Sequence, residues 1–233
     1  MTRLSHIYAL IGVSLLGYGF AQPAAADEGT RLLRLDHYVG VRSTVPAIAG
    51  QVAPIYVREV VRADTALRSE TLANRVVLFV HGAGTPAEVS FDVPYQDYSW
   101  MEYLARAGFD TFAMDTTGYG RSLRPAAMND PCNLAAAQQT AFVPALLAAP
   151  CTPTYNRQMT TLASDWNDIG AVVDHLREIR HVERVSLIGW SLGGPRSGGY
   201  AAQHPDKVRA LVLLAPAYNR NGRGAQPEQV PSE

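Results

Sequence analysis

The stretch VSLIGWSLGGPRSGG, residues 185–199, sets a serine between two glycines at the end of an apolar run. Gly189, Ser191 and Gly193 form G-x-S-x-G, the spacing of a nucleophile elbow, where a strand turns sharply into a helix and holds a hydroxyl outward. Glycine suits both flanks because such a turn brings backbone segments too close for side chains. The helix beyond the serine would contribute partial positive charge and free N–H groups, that of Leu192 first, where an oxyanion develops. The chemistry indicated is acyl transfer through a serine. Alone the motif is a weak signal, and its strand-turn-helix context is what gives it weight.

A second constellation lies upstream. His81, Gly82, Ala83 and Gly84 close the apolar run RVVLFV at what reads as a strand end. The four residues make either a tight turn and no more, or a loop whose Ala83 N–H pairs with that of Leu192 in an oxyanion hole. Both motifs at strand ends, in this order, favour the second reading. No metal is implied, because two cysteines without neighbouring histidines offer too few ligands.

With these residues the chain resembles the α/β-hydrolase superfamily: His81 to Gly84 as oxyanion loop, Asp115 to Ser122 (DTTGYGRS) as a D-x-x-G-x-G-x-S turn, and Gly189 to Gly193 as elbow. The resemblance covers about residues 30–218. It implies a Ser-His-Asp/Glu hydrolase of small ester-like substrates, esters, thioesters or amides, with no metal or organic cofactor. Asp115 reads as structural, since it precedes a glycine-rich turn that fixes backbone path.

Strands and helices must bring these loops together. LDHYVGV and PIYVREVV read as early strands, RVVLFVHG as a buried strand, and FDTFAMD as the next, ending at Asp115. Ser99 and Glu102 form an S-x-x-E capping box that starts a helix, and Gly108 stops it. Leu162, Trp166, Ile169, Val173, Leu176 and Ile179 make one apolar stripe on a helix of about five turns. RVSLIG, GGPRSGGYAAQH and VRALVLLAPA then read as strand, helix and strand. Such alternation implies an α/β fold, a mostly parallel sheet with helices on both faces. The apolar run 210–215 has the pattern of a strand covered on both faces and paired on both sides.

Composition bounds the class. With 47% hydrophobic residues, 18% charged residues and a net charge of -1, the chain is globular and has no basic surplus for nucleic acid. Residues 1–26 read as a signal peptide: Arg3, an apolar segment Ile7 to Phe20, and Ala24 and Ala26 before a cleavage point at Asp27. The expectation is export to periplasm or medium, with no membrane anchor left after cleavage. In an oxidising compartment Cys132 and Cys151 can bridge, and both lie in a Pro-bounded insert at about 122–160. That insert is a lid turning Phe142, Leu146 and Leu147 toward substrate, or an ordinary surface loop. Residues 219–233 lack apolar periodicity and read as a disordered tail; oligomeric state has no sequence signature.

One part of the resemblance is not met. The family's chain order is nucleophile, acid, histidine, yet the 42 residues after Ser191 hold one histidine, His204, and three carboxylates, Asp206, Glu228 and Glu233. His204 lies 13 residues along the helix from Ser191, about 20 Å of rise, whereas a general base must come within about 3 Å. His81 is nearest, but its loop is expected to contribute backbone. The expectation is therefore the last strands missing from a C-terminally truncated hydrolase, inactive as it stands; the alternative is a non-catalytic remnant or binding protein of the same fold.

Overall fold

The computed structural model describes residues 28–67 and 72–218. In chain order the main elements are β1 (Leu32–Arg42), β2 (Val52–Arg62), α1 (Ala63–Leu67), β3 (Val76–Val80), α2 (Ala87–Phe91), α3 (Trp100–Arg106), β4 (Asp110–Met114), α4 (Ala136–Gln139), α5 (Leu162–Arg180), β5 (Val185–Trp190), α6 (Gly193–Gln203) and β6 (Val208–Leu214). The strands form one sheet in the order β1-β2-β4-β3-β5-β6. β1 and β2 run antiparallel, as do β2 and β4, while β4, β3, β5 and β6 are mutually parallel.

Alternation along the central strands divides the core into two layers. Leu78, Phe112 and Leu187 face Ile169, Val172, Val173 and Leu176 of α5 and Tyr200 of α6. Val77, Phe79 and Ala113 face Ala87, Phe91, Met101 and Ala105 of α2 and α3. Register then sets the functional edge: Val80 pairs with Met114 and with Gly189, and Trp190 with Leu214. The loops after β3, β4, β5 and β6 therefore leave the same edge of the sheet, the carboxyl ends where open α/β sheets place their ligands.

Three local features differ from the sequence reading. Ser99 caps α3 by accepting the Glu102 N–H, but the Glu102 carboxylate pairs with Arg34 and Arg106 instead of turning back to the cap. A full reciprocal box occurs instead at α5, between Thr161 and Ser164. β6 pairs with β5, and among the described residues no strand lies on its other edge. Leu211, Val212, Leu213 and Leu214 are 38 to 51% exposed, so this apolar strand lacks the cover its composition suggested. The signal-peptide and tail readings fall on residues outside those described.

Candidate active site

Ser191 follows β5 directly and has φ +52°, a left-handed conformation that costs a non-glycine residue about 1 to 2 kcal/mol. Its backbone is pinned there: the N–H donates to Leu214 O at 3.0 Å, and the carbonyl accepts from Gly194 at 2.9 Å and Ala217 at 2.8 Å. Both flanking glycines are sterically required. A Cβ at Gly189 would collide with the Gly193 carbonyl, and one at Gly193 with the Val80 carbonyl. The elbow is thereby packed onto the end of β3. Gly82 approaches it as closely, since a Cβ there would stand 3.0 Å from Ser191 Cβ and 3.2 Å from Trp190 O.

The structure thus brings together Ser191, Leu192, Gly82 and, in the next peptide, Ala83. Neither the Leu192 nor the Ala83 N–H donates to an acceptor among the described residues, which leaves both free for a ligand oxygen. Beyond Leu192, α6 adds the positive end of an 11-residue helix.

None of the five described histidines hydrogen-bonds the Ser191 hydroxyl. His81 is fully buried; its Nε2 accepts from the Thr116 N–H at 3.2 Å, which places the proton on Nδ1, 2.7 Å from the Gly82 carbonyl it donates to. Burial, reinforced by the Arg196 charge and opposed by the Gly82 hydrogen bond, lowers its pKa to about 4. With both ring nitrogens committed, His81 has no lone pair to offer a hydroxyl. His37 pairs with Glu59 at 2.6 Å, with the His175 ring 6.4 Å away. His181 caps α5 and His204 caps α6 against Tyr200. No described side chain hydrogen-bonds the Ser191 hydroxyl.

Asp115 is structural in its contacts, accepting from the Ala87 N–H at 2.7 Å and the Arg121 N–H at 2.9 Å. It ties the turn after β4 to α2. Three polar residues beneath the site went unread in the sequence: Asp165 and Asp168 on α5, and Arg196 on α6, all nearly fully buried. Asp168 accepts the Thr117 N–H at 2.8 Å, and burial pushes its carboxyl up to about 6. The signal was present as the one charged residue of α6, a helix that must pack on a sheet.

A cavity of about 530 Å³ opens beside the loop after β3, lined by Gly84, Tyr119, Arg124, Met128, Leu134 and Met159 among others. The insert therefore forms one of its walls. Phe142, Leu146 and Leu147 do not line it, and Leu146 is 69% exposed, so the apolar residues singled out for a lid face elsewhere. Cys132 and Cys151 are joined within the insert, with Cα atoms 5.3 Å apart. Buried Gln139 reinforces them, donating to the carbonyls of Cys132, Leu134 and Cys151 and accepting the Cys151 N–H at 2.8 Å.

A serine at a strained strand-to-helix turn, on the carboxyl edge of a parallel sheet and facing a glycine loop, defines a class of fold. The chain belongs to the α/β-hydrolase family: a family model described as "alpha/beta hydrolase fold" matches residues 75–230. Among solved structures it is similar to a protein provisionally described as a lipase from Sulfolobus solfataricus, 18% identical with a TM-score of 0.51, over 85% of this chain and 49% of that one. An esterase from Exiguobacterium antarcticum is 18% identical with a TM-score of 0.45, over 77% of this chain and 46% of its own. A segment of 46 residues, 20% of this chain, is 50% identical to 13% of the poly(3-hydroxyalkanoate) polymerase subunit PhaC of Allochromatium vinosum. The chain spans about half the length of the two solved structures.

Proposed function

We propose that the chain is the nucleophile-bearing part of an exported serine hydrolase that cleaves a small ester or related acyl bond through a Ser191 acyl-enzyme. The observation that carries this is the Ser191 backbone, held at φ +52° between two glycines that tolerate no side chain. A strained residue so fully constrained fits a group presented for reaction. In this reading the substrate carbonyl carbon meets the Ser191 oxygen, and its oxygen takes the Leu192 and Ala83 N–H groups as charge develops. The general base and its acid partner come from chain beyond β6. The cystine in the insert fits export to an oxidising compartment. Among the described residues no helix is long and apolar enough to cross a membrane.

The test is to compare residues 27–233 with a version extended by whatever the gene encodes further, using a small activated ester. The short form is expected to show negligible turnover, and the extended form activity that Ser191→Ala reduces by at least about 10⁴-fold. Turnover insensitive to Ser191→Ala would overturn the nucleophile. Full activity in the short form would overturn the absent base, and His81→Ala would be the next variant. A second reading, a non-catalytic binding remnant, is favoured by the unpartnered Ser191 hydroxyl; an extended form that binds esters without turnover would establish it.

A further inference from the structure

The acyl-transfer reading leaves one buried charge unused. Arg196 lies on α6 five residues past Ser191 and is 2% exposed. Its Nε donates to Asp165 Oδ2 at 2.8 Å, and its Nη1 to the carbonyl oxygens of His81 at 3.1 Å and Gly82 at 3.3 Å. The guanidinium also lies over the Tyr119 ring, 5.2 Å from its centroid. The Gly82 carbonyl receives a second donor, His81 Nδ1–H, at 2.7 Å.

A trans peptide is planar, and its C=O and N–H point in opposite directions. The Gly82 carbonyl and the Ala83 N–H belong to one such unit. Two donors that hold the oxygen toward the core therefore turn the N–H to the other side, next to the α-carbon that packs on Ser191. Without them this unit would rotate readily, because glycine supplies one of its two flanking residues. We infer that Arg196, anchored by Asp165, is a positioning residue that locks the Gly82–Ala83 peptide so that the Ala83 N–H faces the Ser191 hydroxyl. The inference rests on the acyl-transfer reading for its catalytic meaning, not for its geometry. Arg196 touches no reacting atom; it acts by fixing a dipole before charge develops, which is what makes an oxyanion donor effective.

Removing Arg196 alone would strand the buried Asp165 charge, so the variant for the test is Arg196→Met/Asp165→Asn, which removes both charges. In the full-length protein, expected results are native-like melting, kcat on a small ester reduced about 10- to 100-fold, and KM within about twofold, somewhat less than loss of a whole oxyanion donor. The Ala83 amide resonance in ¹⁵N-labelled protein should shift or broaden. Asp165→Asn alone, which loosens the cation but keeps it, should move that resonance less and in the same direction, and serves if the double variant does not fold. An Ala83 resonance unmoved in the folded variant would overturn the inference, as would kcat unchanged within twofold. Ser191→Ala that retains turnover would instead overturn only the acyl-transfer reading, and the Ala83 resonance would still decide the role of Arg196.

Discussion

Helix α5 meets an ion pair with buried carboxylates at each end, and the two pairs employ their arginines differently. At Asp165, in the first turn, the partner Arg196 has donors left over for two loop carbonyls. At the last turn, about 22 Å away by helical rise, Arg180 donates Nε to Asp110 and Nη2 to Glu59, each at 2.5 Å. Glu59 also takes His37, and Asp110 Oδ1 has no partner. The far pair joins three elements, β2, β4 and α5, by ion pairs, with the guanidinium also over the Phe112 ring, 5.5 Å from its centroid. The near pair joins α5 to α6 and in addition aims a peptide. A guanidinium whose hydrogen bonds all go to carboxylates fastens the fold, whereas one that also reaches backbone carbonyls can orient them.

The largest difference expected between the two ends is in stability when each arginine is replaced singly. Arg196→Met leaves Asp165 buried without a cation and the Gly82 carbonyl with one donor fewer, a loss of about 3 to 5 kcal/mol. Arg180→Met should cost about half as much at pH 6. Glu59 keeps His37, and burial together with the Glu59 charge pushes the Asp110 carboxyl up to about 7 against the pull of Arg180, so Asp110 can take a proton and shed its charge. Urea unfolding at pH 6, with m unchanged, measures both. Equal losses would erase the distinction between the two ends of α5.

How much of this was legible beforehand depended on the range of the force involved. The turn at Ser191 and the glycine loop that packs on it were readable because close backbone approach restricts Gly82, Gly189 and Gly193 within a few residues of sequence. The sheet and α5 were readable from apolar period, and the Ser99 cap from one residue type at one position. Arg196 and Asp165 were not, because polar residues on a helix read as solvent-facing until a partner 31 residues away is known. Ser164 as the reciprocal member of a capping box is illegible for a smaller reason: the usual box carries Glu or Gln at that position. The apolar sequence of β6 predicted cover that the described residues do not provide, since composition reports what a strand prefers and not what is beside it.

The smallest expected effect concerns the direction in which each end responds to pH. Asp110 has a folded pKa raised to about 7 from its ordinary 3.8, so the folded state holds a proton that the unfolded state has released. Its contribution is complete below about 4 and is lost as pH rises through about 7. His81 is the reverse: lowered to about 4 from 6.5, it contributes fully above 6.5 and loses that contribution as pH falls through about 4. Asp168, pushed up to about 6 by burial, adds to the first trend at the site end, so each group has to be isolated by difference from the parent. In urea unfolding between pH 5 and 6.5, Asp110→Asn should make the slope of unfolding free energy against pH more positive, by at most about 1.4 kcal/mol per unit, one proton's worth. His81→Asn should make the slope less positive over the same range, by a comparable or smaller amount. Slopes that move the same way in both variants would mean that the shifts of His81 and Asp110 do not have opposite signs.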